Sequence, residues 1–123
     1  KRKLPEVGAI STFIGYVRNT NYKKKVNSIE LEAYVEMVYE SLGKVLSQAK
    51  QKWNLSDTLV IHRQGKLKIG EIIVLVATFS QHRHDSQQAC EFIMDYLKKD
   101  SPFWKKENYD DGFNWLGNSS SKI

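Results

Sequence analysis

The chain has 123 residues, of which 41% are hydrophobic, and a formal net charge of +5. A chain of this size buries about two thirds of its unfolded surface, so we expect one domain over residues 1–123, with frayed ends at 1–6 and 118–123. The longest purely apolar run, residues 72–77, is much shorter than the roughly 20 residues of a membrane span. With no visible signal peptide, a cytoplasmic protein without a membrane partner is expected.

The positive charge is unevenly distributed along the sequence. Residues 1–25 hold seven Lys or Arg against one acid, Glu6, and residues 98–106 hold four lysines against Asp100. Such blocks attract phosphate-bearing partners or acidic protein surfaces. A solvated surface is the alternative, and we favour it for residues 23–25, whose three lysines are typical of a loop tip.

The first half of the chain contains two predicted strands and one helix. Residues 8–18, GAISTFIGYVR, are rich in β-branched and aromatic types, which favours a strand. Residues 28–34 alternate apolar and acidic side chains, which predicts a half-exposed strand. Apolar residues at steps of three and four then predict an amphipathic helix, and they are Val35, Val38, Tyr39, Leu42, Val45, Leu46 and Ala49.

Two further strands follow the first predicted helix. The runs are residues 57–65 and 71–80, and their connection, KLKIG, ends in the turn-favouring Gly70. We therefore expect an antiparallel pair. The second run is apolar on both faces, which indicates a central, covered strand.

A second helix is predicted to begin at Asp85, with Gln88 three residues later completing a capping box. The pair Lys98–Lys99 closes it, and Pro102 prevents its continuation. PFWKKE then reads as a loop, followed by a short apolar piece, GFNWLG. Taken together, the elements predict an α+β fold with a largely antiparallel sheet and two main helices.

His82, Arg83 and His84 lie between the end of the central strand and the start of the second helix. Unpaired backbone N–H groups and the helix dipole favour an anion at such a place. An arginine there can bind phosphate through two parallel hydrogen bonds. The pattern predicts an anion site, with a solvated loop as the alternative.

Zinc is a second possibility for the His82–His84 pair. Zinc needs at least a third ligand, and the candidates are Asp85, Cys90 and His62, none of them at a telling spacing. Because His62 lies within a strand, a hydrogen-bonded structural histidine is favoured there. Cys90 is the single cysteine and lies in a helical apolar pattern, so a buried thiol is favoured over a nucleophile.

Lysines toward the carboxyl end are candidates for acid–base work. The alternative for Lys98 is a structural role, because a lysine in the last turn of a helix complements the helix dipole. The aromatic pair at residues 103–104 can anchor a segment that holds Lys105 or Lys106 in place. A lysine held near other cations, such as Arg18, has a lowered pKa and can transfer protons. No Ser-His-Asp arrangement, phosphate-binding glycine loop or paired-carboxylate motif is evident.

Three stretches together resemble the large, catalytic subunit of molybdopterin synthase. They are GAISTFIGYVR at residues 8–18, VIHRQGKLKIGEIIVLVATFSQHR at 60–83 and ACEFIMDYLKKDSPFWKKE at 89–107. The resemblance extends over about residues 7–116. It implies an α/β hammerhead fold with an additional antiparallel β portion.

The resemblance also implies a reaction. Members of the family convert cyclic pyranopterin monophosphate into molybdopterin, in molybdenum cofactor biosynthesis, by installing two dithiolene sulfurs. The sulfur arrives as a thiocarboxylate on the carboxyl-terminal glycine of a small ubiquitin-like subunit. The large subunits form a central homodimer within a heterotetramer, and their pockets can draw groups from both large subunits. No metal or other cofactor and no nucleic acid is implied.

Residue roles carry over by position. Lys98 and Lys105 match the two active-site lysines of the family. Which lysine does which is a hypothesis, and ours is that Lys98 transfers the proton while Lys105 orients substrate or stabilises negative charge. The implied substrate-binding residues are Tyr16, Val17, Arg18, His82, Arg83, Lys106 and Glu107. One departure follows the His-Arg pair, where the family often carries a small apolar residue and an aromatic and this chain has Ser86 and Gln87.

Two rival functions are open at this point. The basic amino-terminal segment and PFWKK are compatible with a nucleic-acid-binding module that contacts phosphates and stacks bases. The cations are dispersed among acids, however, and no RNA-motif signature is present. A non-catalytic homologue is the second rival, and the presence of both Lys98 and Lys105 speaks against it.

Overall fold

A computed structural model of the chain describes residues 6–18, 20–21, 24–25, 28–99, 103–109 and 112–116. In segments 20–21, 24–25, 103–107, 109 and 113–116 it describes the backbone alone. Apart from Glu6, the ends expected to be frayed lie outside the described residues, and the single domain over residues 1–123 stays a prediction.

Strands and helices follow one another in the order β, β, β, β, α, β, β, β, α, β, β. The described elements are β1 (Ala9–Tyr16), β2 (Thr20–Asn21), β3 (Lys24–Lys25), β4 (Ser28–Ala33), α1 (Val35–Lys52), β5 (Leu55–His62), β6 (Gly65–Lys68), β7 (Ile72–Ser80), α2 (Arg83–Lys99), β8 (Phe103–Tyr109) and β9 (Gly112–Leu116).

The first sheet has β7 at its centre, with β1 and β5 antiparallel on either side. β7 is built from β-branched and apolar residues, which suit a pleated and covered position, and it is buried along most of its length. The predictions of a central strand and of an antiparallel partner for it are confirmed. The register sets Leu75 between Ile14 and Ile61, so an apolar row runs across all three strands.

The second sheet has the order β6–β4–β8–β9 and is antiparallel throughout. β4 buries Ile29 and Leu31 while Glu32 is exposed, which confirms the half-exposed strand predicted from its alternation. A separate short pair joins β2 to β3.

Two segments predicted to be connections are strands. Gly65–Lys68, which runs from the end of the predicted strand at residues 57–65 into the expected turn, is β6, and Phe103–Tyr109, which includes most of the expected loop PFWKKE, is β8. Both pair with β4, which is distant in sequence. No local signal reports a distant pairing partner, and the charged residues of each segment conceal its strand character.

α2 covers one face of the first sheet by packing against β1 and β7. Its buried residues recur at helical spacing, as expected of an amphipathic helix, and include Ala89, Ile93 and Leu97. They join the core residues Val74 and Val76 of β7.

α1 packs against α2 through its carboxyl-terminal half. Val45 and Ala49 are buried there, and the rings of Trp53 and Phe92 meet edge to face with centroids 5.4 Å apart. The predicted stripe is wrong at the other end, where Val35 is 47% exposed and Tyr39 is 73% exposed. The elements confirm an α+β fold with two helices and antiparallel sheets. In the described part of the chain, no helix has the length and apolarity to cross a membrane.

Candidate functional site

The His-Arg pair lies at the junction between β7 and α2. β7 ends at Ser80 and α2 begins at Arg83, so only two residues form the turn. The side chains of His82, Arg83 and His84 are all exposed. Because the first-turn N–H groups of α2 point outward at this place, the junction has the electrostatics of an anion site.

Buried hydroxyls hold the backbone beneath this pair. The Ser80 hydroxyl donates to the carbonyl oxygen of His82 at 2.5 Å and accepts from the Ser86 N–H at 3.1 Å. The Ser86 hydroxyl donates to the carbonyl of Arg83 at 3.0 Å. The Thr78 hydroxyl instead donates to a carbonyl inside α2, that of Ser86, at 2.6 Å. Thr78, Ser80 and Ser86 are each at most 1% exposed, so the hydroxyl end of each bond is shielded from bulk water.

The start of β1 supports the same turn. The Gly8 N–H donates to the carbonyl of Ser80 at 2.9 Å, and a β-carbon at Gly8 would lie 2.1 Å from the carbonyl oxygen of Gln81. Only glycine permits this close approach of two backbones.

Asp85 has a different role from the predicted one. α2 begins two residues earlier, at Arg83, so the capping box predicted at Asp85 and Gln88 is wrong. The Asp85 carboxylate accepts a hydrogen bond from the Asn54 N–H at 3.2 Å. A carboxylate in the first turn still favours the helix dipole, and here it also ties the α1–β5 connection to α2.

A second group of predicted site residues lies where β1 ends. Tyr16 is 53% exposed, Val17 is 4% exposed and Arg18 is exposed. The Val17 N–H donates to Glu71 O at 2.9 Å, and Val17 O accepts from the Gly70 N–H at 3.0 Å. The Val17 side chain belongs to the core, so Tyr16 and Arg18 are the members of this stretch with side chains open to a ligand.

Lys98 is exposed in the last turn of α2. β8 begins four residues after α2 ends, and its register sets Lys105 opposite Leu31, Lys106 opposite Glu30 and Glu107 opposite Ile29. The side chains of Lys105, Lys106 and Glu107 lie outside what the structure describes.

The chain does not bring all the predicted residues to one place. Arg83 and Lys98 are 15 residues apart on the same helix, which at 1.5 Å per residue places them about 22 Å apart along its axis. Because α2 starts at the end of β7 and packs back along it, Lys98 lies toward the Tyr16–Ile72 end of the sheet. The exposed site residues with described side chains thus form two groups, which we name after the two ends of α2. The carboxyl-end group is Tyr16, Arg18 and Lys98, and the amino-end group is His82 and Arg83.

The thiol of Cys90 is not placed for nucleophilic chemistry. It is 6% exposed within the core, and burial raises its pKa. A thiol in this state is protonated near neutral pH and is a poor nucleophile.

His62 fits the structural interpretation made from the sequence. Its Nδ1 lies 2.8 Å from the carbonyl oxygen of Arg63, to which it can donate. Burial lowers the pKa of His62, and the bond to Arg63 raises it to a smaller extent. Among the described residues, no group of three or more His, Cys, Asp or Glu side chains is arranged to hold a metal ion.

Sequence reasoning missed the supporting residues of the amino-end group. Ser80 and Ser86 have no distinctive pattern, because a serine in a strand or helix is common and gives no local signal. Gly8 was visible only as the first residue of a predicted strand. A glycine at a strand start and two hydroxyl residues around a strand-to-helix turn are signals that favour a tightly supported turn.

Comparison with known proteins identifies relatives over nearly the whole chain. The sequence profile described as MoaE protein matches residues 1–100. A molybdopterin synthase catalytic subunit from Ralstonia nicotianae is 49% identical over 112 residues, which are 91% of this chain and 64% of that protein. The corresponding subunit from Haemophilus influenzae is 44% identical over 110 residues, which are 89% of this chain and 73% of that protein.

A solved structure has the same fold. The crystal structure of molybdopterin synthase from Staphylococcus aureus superposes with a TM-score of 0.88 at 35% sequence identity, covering 94% of this chain and 85% of that chain. The chain thus spans somewhat under two thirds of the Ralstonia relative and most of the Staphylococcus chain.

Proposed function

This chain belongs to the MoaE protein family, and on that premise we propose that it is the catalytic subunit of a molybdopterin synthase. The reaction proposed is the conversion of cyclic pyranopterin monophosphate into molybdopterin, with sulfur supplied by the thiocarboxylated carboxyl-terminal glycine of a small ubiquitin-like subunit. The family match over residues 1–100 is the observation that carries the proposal. The cytoplasmic location expected from the sequence stays a prediction.

The amino-end group supports binding of an anionic substrate. Arg83 is exposed in the first turn of α2, where the partial positive charge of the helix adds to that of the guanidinium. His82 precedes it and is exposed as well. A phosphate oxygen can accept hydrogen bonds from the guanidinium and from first-turn N–H groups at the same time.

An external source of sulfur is supported by the state of Cys90. It is the only cysteine of the chain, and it is buried with a raised pKa. If a cysteine of this chain carried the sulfur, its thiolate would have to be accessible. The relatives are named molybdopterin synthase catalytic subunits, and we propose that a separate small subunit delivers the thiocarboxylate to this chain.

Lys98 is proposed as the proton-transfer group beside the thiocarboxylate carbonyl. It is exposed at the end of α2 and shares its end of the sheet with Arg18. Lysine is one of the side chains that give and take protons in general acid–base catalysis. Lys105 is proposed to orient the substrate or to stabilise developing negative charge, and Lys106 and Glu107 to contribute to the substrate pocket.

A complete site is proposed to need two copies of the chain. Arg83 and Lys98 of one copy are about 22 Å apart along α2, too far to contact the same group of a small substrate. The carboxyl-end group of one copy can meet the amino-end group of another if the two copies pack with their first sheets antiparallel. A two-fold axis then generates two equivalent sites.

The uncovered face of the first sheet supports this dimer. α2 covers one face, while the other carries the row Ile14, Leu75 and Ile61 together with Ile10 and Leu59. Ile10 is 58% exposed and Ile61 is 53% exposed. Contiguous apolar patches of this kind mark protein–protein contacts, and we propose that a second copy covers this one, within a heterotetramer that carries a small subunit on each copy.

Reconstitution tests the proposed activity. The chain is mixed with a thiocarboxylated small subunit and cyclic pyranopterin monophosphate, and dithiolene product is measured. We expect product from the native chain, a loss of about 100-fold or more in Lys98→Ala, in line with removal of a proton-transfer group, and a clear loss in Lys105→Ala. Lys44→Ala, which removes an exposed lysine that pairs with Glu40 along α1, serves as the matched control and should keep full activity. Full activity in both Lys98→Ala and Lys105→Ala would remove lysine from the mechanism.

A further inference from the structure

Ser80 uses both hydrogen-bonding capacities of its hydroxyl at the turn that carries the His-Arg pair. It donates to the carbonyl of His82 at 2.5 Å and accepts from the N–H of Ser86 at 3.1 Å. The residue is fully buried. A hydroxyl has one donor and can rotate, and here the donor is committed to the peptide that joins His82 to Arg83.

The orientation of that peptide determines the direction in which the Arg83 side chain leaves the backbone. Arg83 is the first residue of α2, so rotation of the preceding peptide would move its Cα–Cβ bond and the first-turn N–H groups together. Gly8 also packs against the turn, with its N–H bonded to Ser80 O. Ser80 is therefore held by hydrogen bonds to both its backbone and its side chain, and its bond to the carbonyl of His82 restrains the turn.

We propose that Ser80 is a positioning residue for substrate binding, which acts by fixing the His82–Arg83 peptide. The inference rests on the proposed function, because it assigns Ser80 to the arginine that binds the anionic substrate. Preorganised donors bind an anion more tightly than mobile ones because less freedom is lost on binding. Ser80 itself touches no substrate.

The test compares the loss of two buried hydroxyls, one bonded to the turn and one bonded inside α2. In Ser80→Ala the bond to His82 is lost. In Thr78→Val, the matched control, an equally buried hydroxyl is lost, but its bond is to the carbonyl of Ser86 inside the helix. Ser80→Thr keeps the hydroxyl and serves as the rescue variant. Each chain is assayed with the thiocarboxylated small subunit, and thermal unfolding is recorded in parallel.

We expect Ser80→Ala to raise the KM for the pyranopterin by about tenfold while kcat falls by less than about threefold, since binding rather than proton transfer is affected. Thr78→Val should lower the unfolding temperature to a similar extent yet leave KM within about twofold of the native value. Ser80→Thr should restore most of the native KM. Equal KM values in Ser80→Ala and Thr78→Val would overturn the positioning role and leave only a structural one.

Combining the change with Arg83→Ala separates this inference from the proposed function. If Ser80 acts through Arg83, then adding Ser80→Ala to Arg83→Ala should raise KM by less than about twofold further, because the two effects are not additive. Full additivity would overturn the inference. If Ser80→Ala is silent while Arg83→Ala raises KM, the inference alone fails. If Arg83→Ala leaves KM unchanged, the proposed phosphate contact fails and the inference fails with it.

Discussion

Gly8 lies directly against the backbone of Gln81, so that a β-carbon on Gly8 would stand 2.1 Å from the Gln81 carbonyl oxygen. The N–H of the same glycine donates to Ser80 O at 2.9 Å. The first residues of the described chain thus fix the turn that carries His82 and Arg83. This contact links the start of β1 to one end of the proposed site.

Gly8→Ala should displace the turn. Because the obstructing atoms belong to the backbone of Gln81, the chain must move, and overpacking of this kind costs about 1–3 kcal/mol of folding stability. We also expect a several-fold increase in KM for the pyranopterin, since the turn carries Arg83. Urea unfolding and steady-state kinetics measure the two effects.

Gly43→Ala is the matched control for that change. Gly43 lies within α1, and an added β-carbon there would have no atom within 4 Å. Replacing a glycine inside a helix by alanine should raise stability by about 0.5–1 kcal/mol and leave KM unaltered. If Gly8→Ala proved as benign as Gly43→Ala, the backbone contact at Gln81 would not be present in solution.

His62 should make folding stability sensitive to mild acid. Burial lowers its pKa from 6.5, against a smaller opposing effect of the bond to Arg63, while in the unfolded chain the pKa returns to its ordinary value. As the pH falls below about 6.5, the unfolded state therefore takes up a proton before the folded state does, and stability is lost until the folded-state pKa is passed.

The measurement is the free energy of unfolding at about pH 7 and about pH 5, a range that brackets the ordinary histidine pKa. The neutral variant His62→Gln should lose less stability between these values than the native chain. The lowered pKa of Glu71, caused first by its bond from the Lys68 N–H, acts in a separate window, below about 4.5. An equal acid loss in both proteins would show that His62 is not buried as a neutral group.

The uncovered face of the first sheet should control assembly. Ile61 is 53% exposed and lies in the apolar row with Ile14 and Leu75. Ile61→Asp places a charge in the proposed dimer contact, where desolvation is costly, so we expect a monomer by light scattering. Met37→Asp is the control, since Met37 is also 53% exposed but lies on α1, and it should remain a dimer. A dimeric Ile61→Asp chain would exclude this face as the interface.

Cys90→Ala should retain sulfur transfer. The thiol is buried and its pKa is raised, so the reaction as proposed makes no use of it. We expect turnover within about twofold of the native chain and a stability loss of about 1 kcal/mol from the small cavity. An inactive Cys90→Ala chain that still folds and still binds the small subunit would place sulfur on this cysteine.

The elements that could be predicted are those whose apolar residues repeat regularly within a short stretch of sequence. The apolar run of β7 indicated a central strand, and helical spacing located α1 and α2. β6 and β8 were missed because their stability comes from pairing with β4, which is a distant partner that neither short segment encodes. The exposed end of α1 was missed because spacing shows that a stripe is apolar but does not show what covers it.

The candidate site was predictable as a set of residues and not as an arrangement. The sequence indicated a helix start beside Arg83 and a helix end beside Lys98, and the length of that helix alone separates them by about 22 Å. What the sequence could not indicate is which end of the sheet each group joins. That follows from the register of β1 against β7 and from the packing of α2 on both strands.

A mixed dimer tests most directly whether each site is shared by two copies of the chain. Chains carrying Arg83→Ala and Lys98→Ala are given different affinity tags, and the mixed dimer is purified and assayed with the thiocarboxylated small subunit. One of its two shared sites has both native groups, so we expect about half of the native activity. The control pairs a native chain with the double variant, in which every shared site lacks one group, so activity at a pyranopterin concentration well below the raised KM should be largely lost. An inactive mixed dimer together with a half-active control would contradict the shared site.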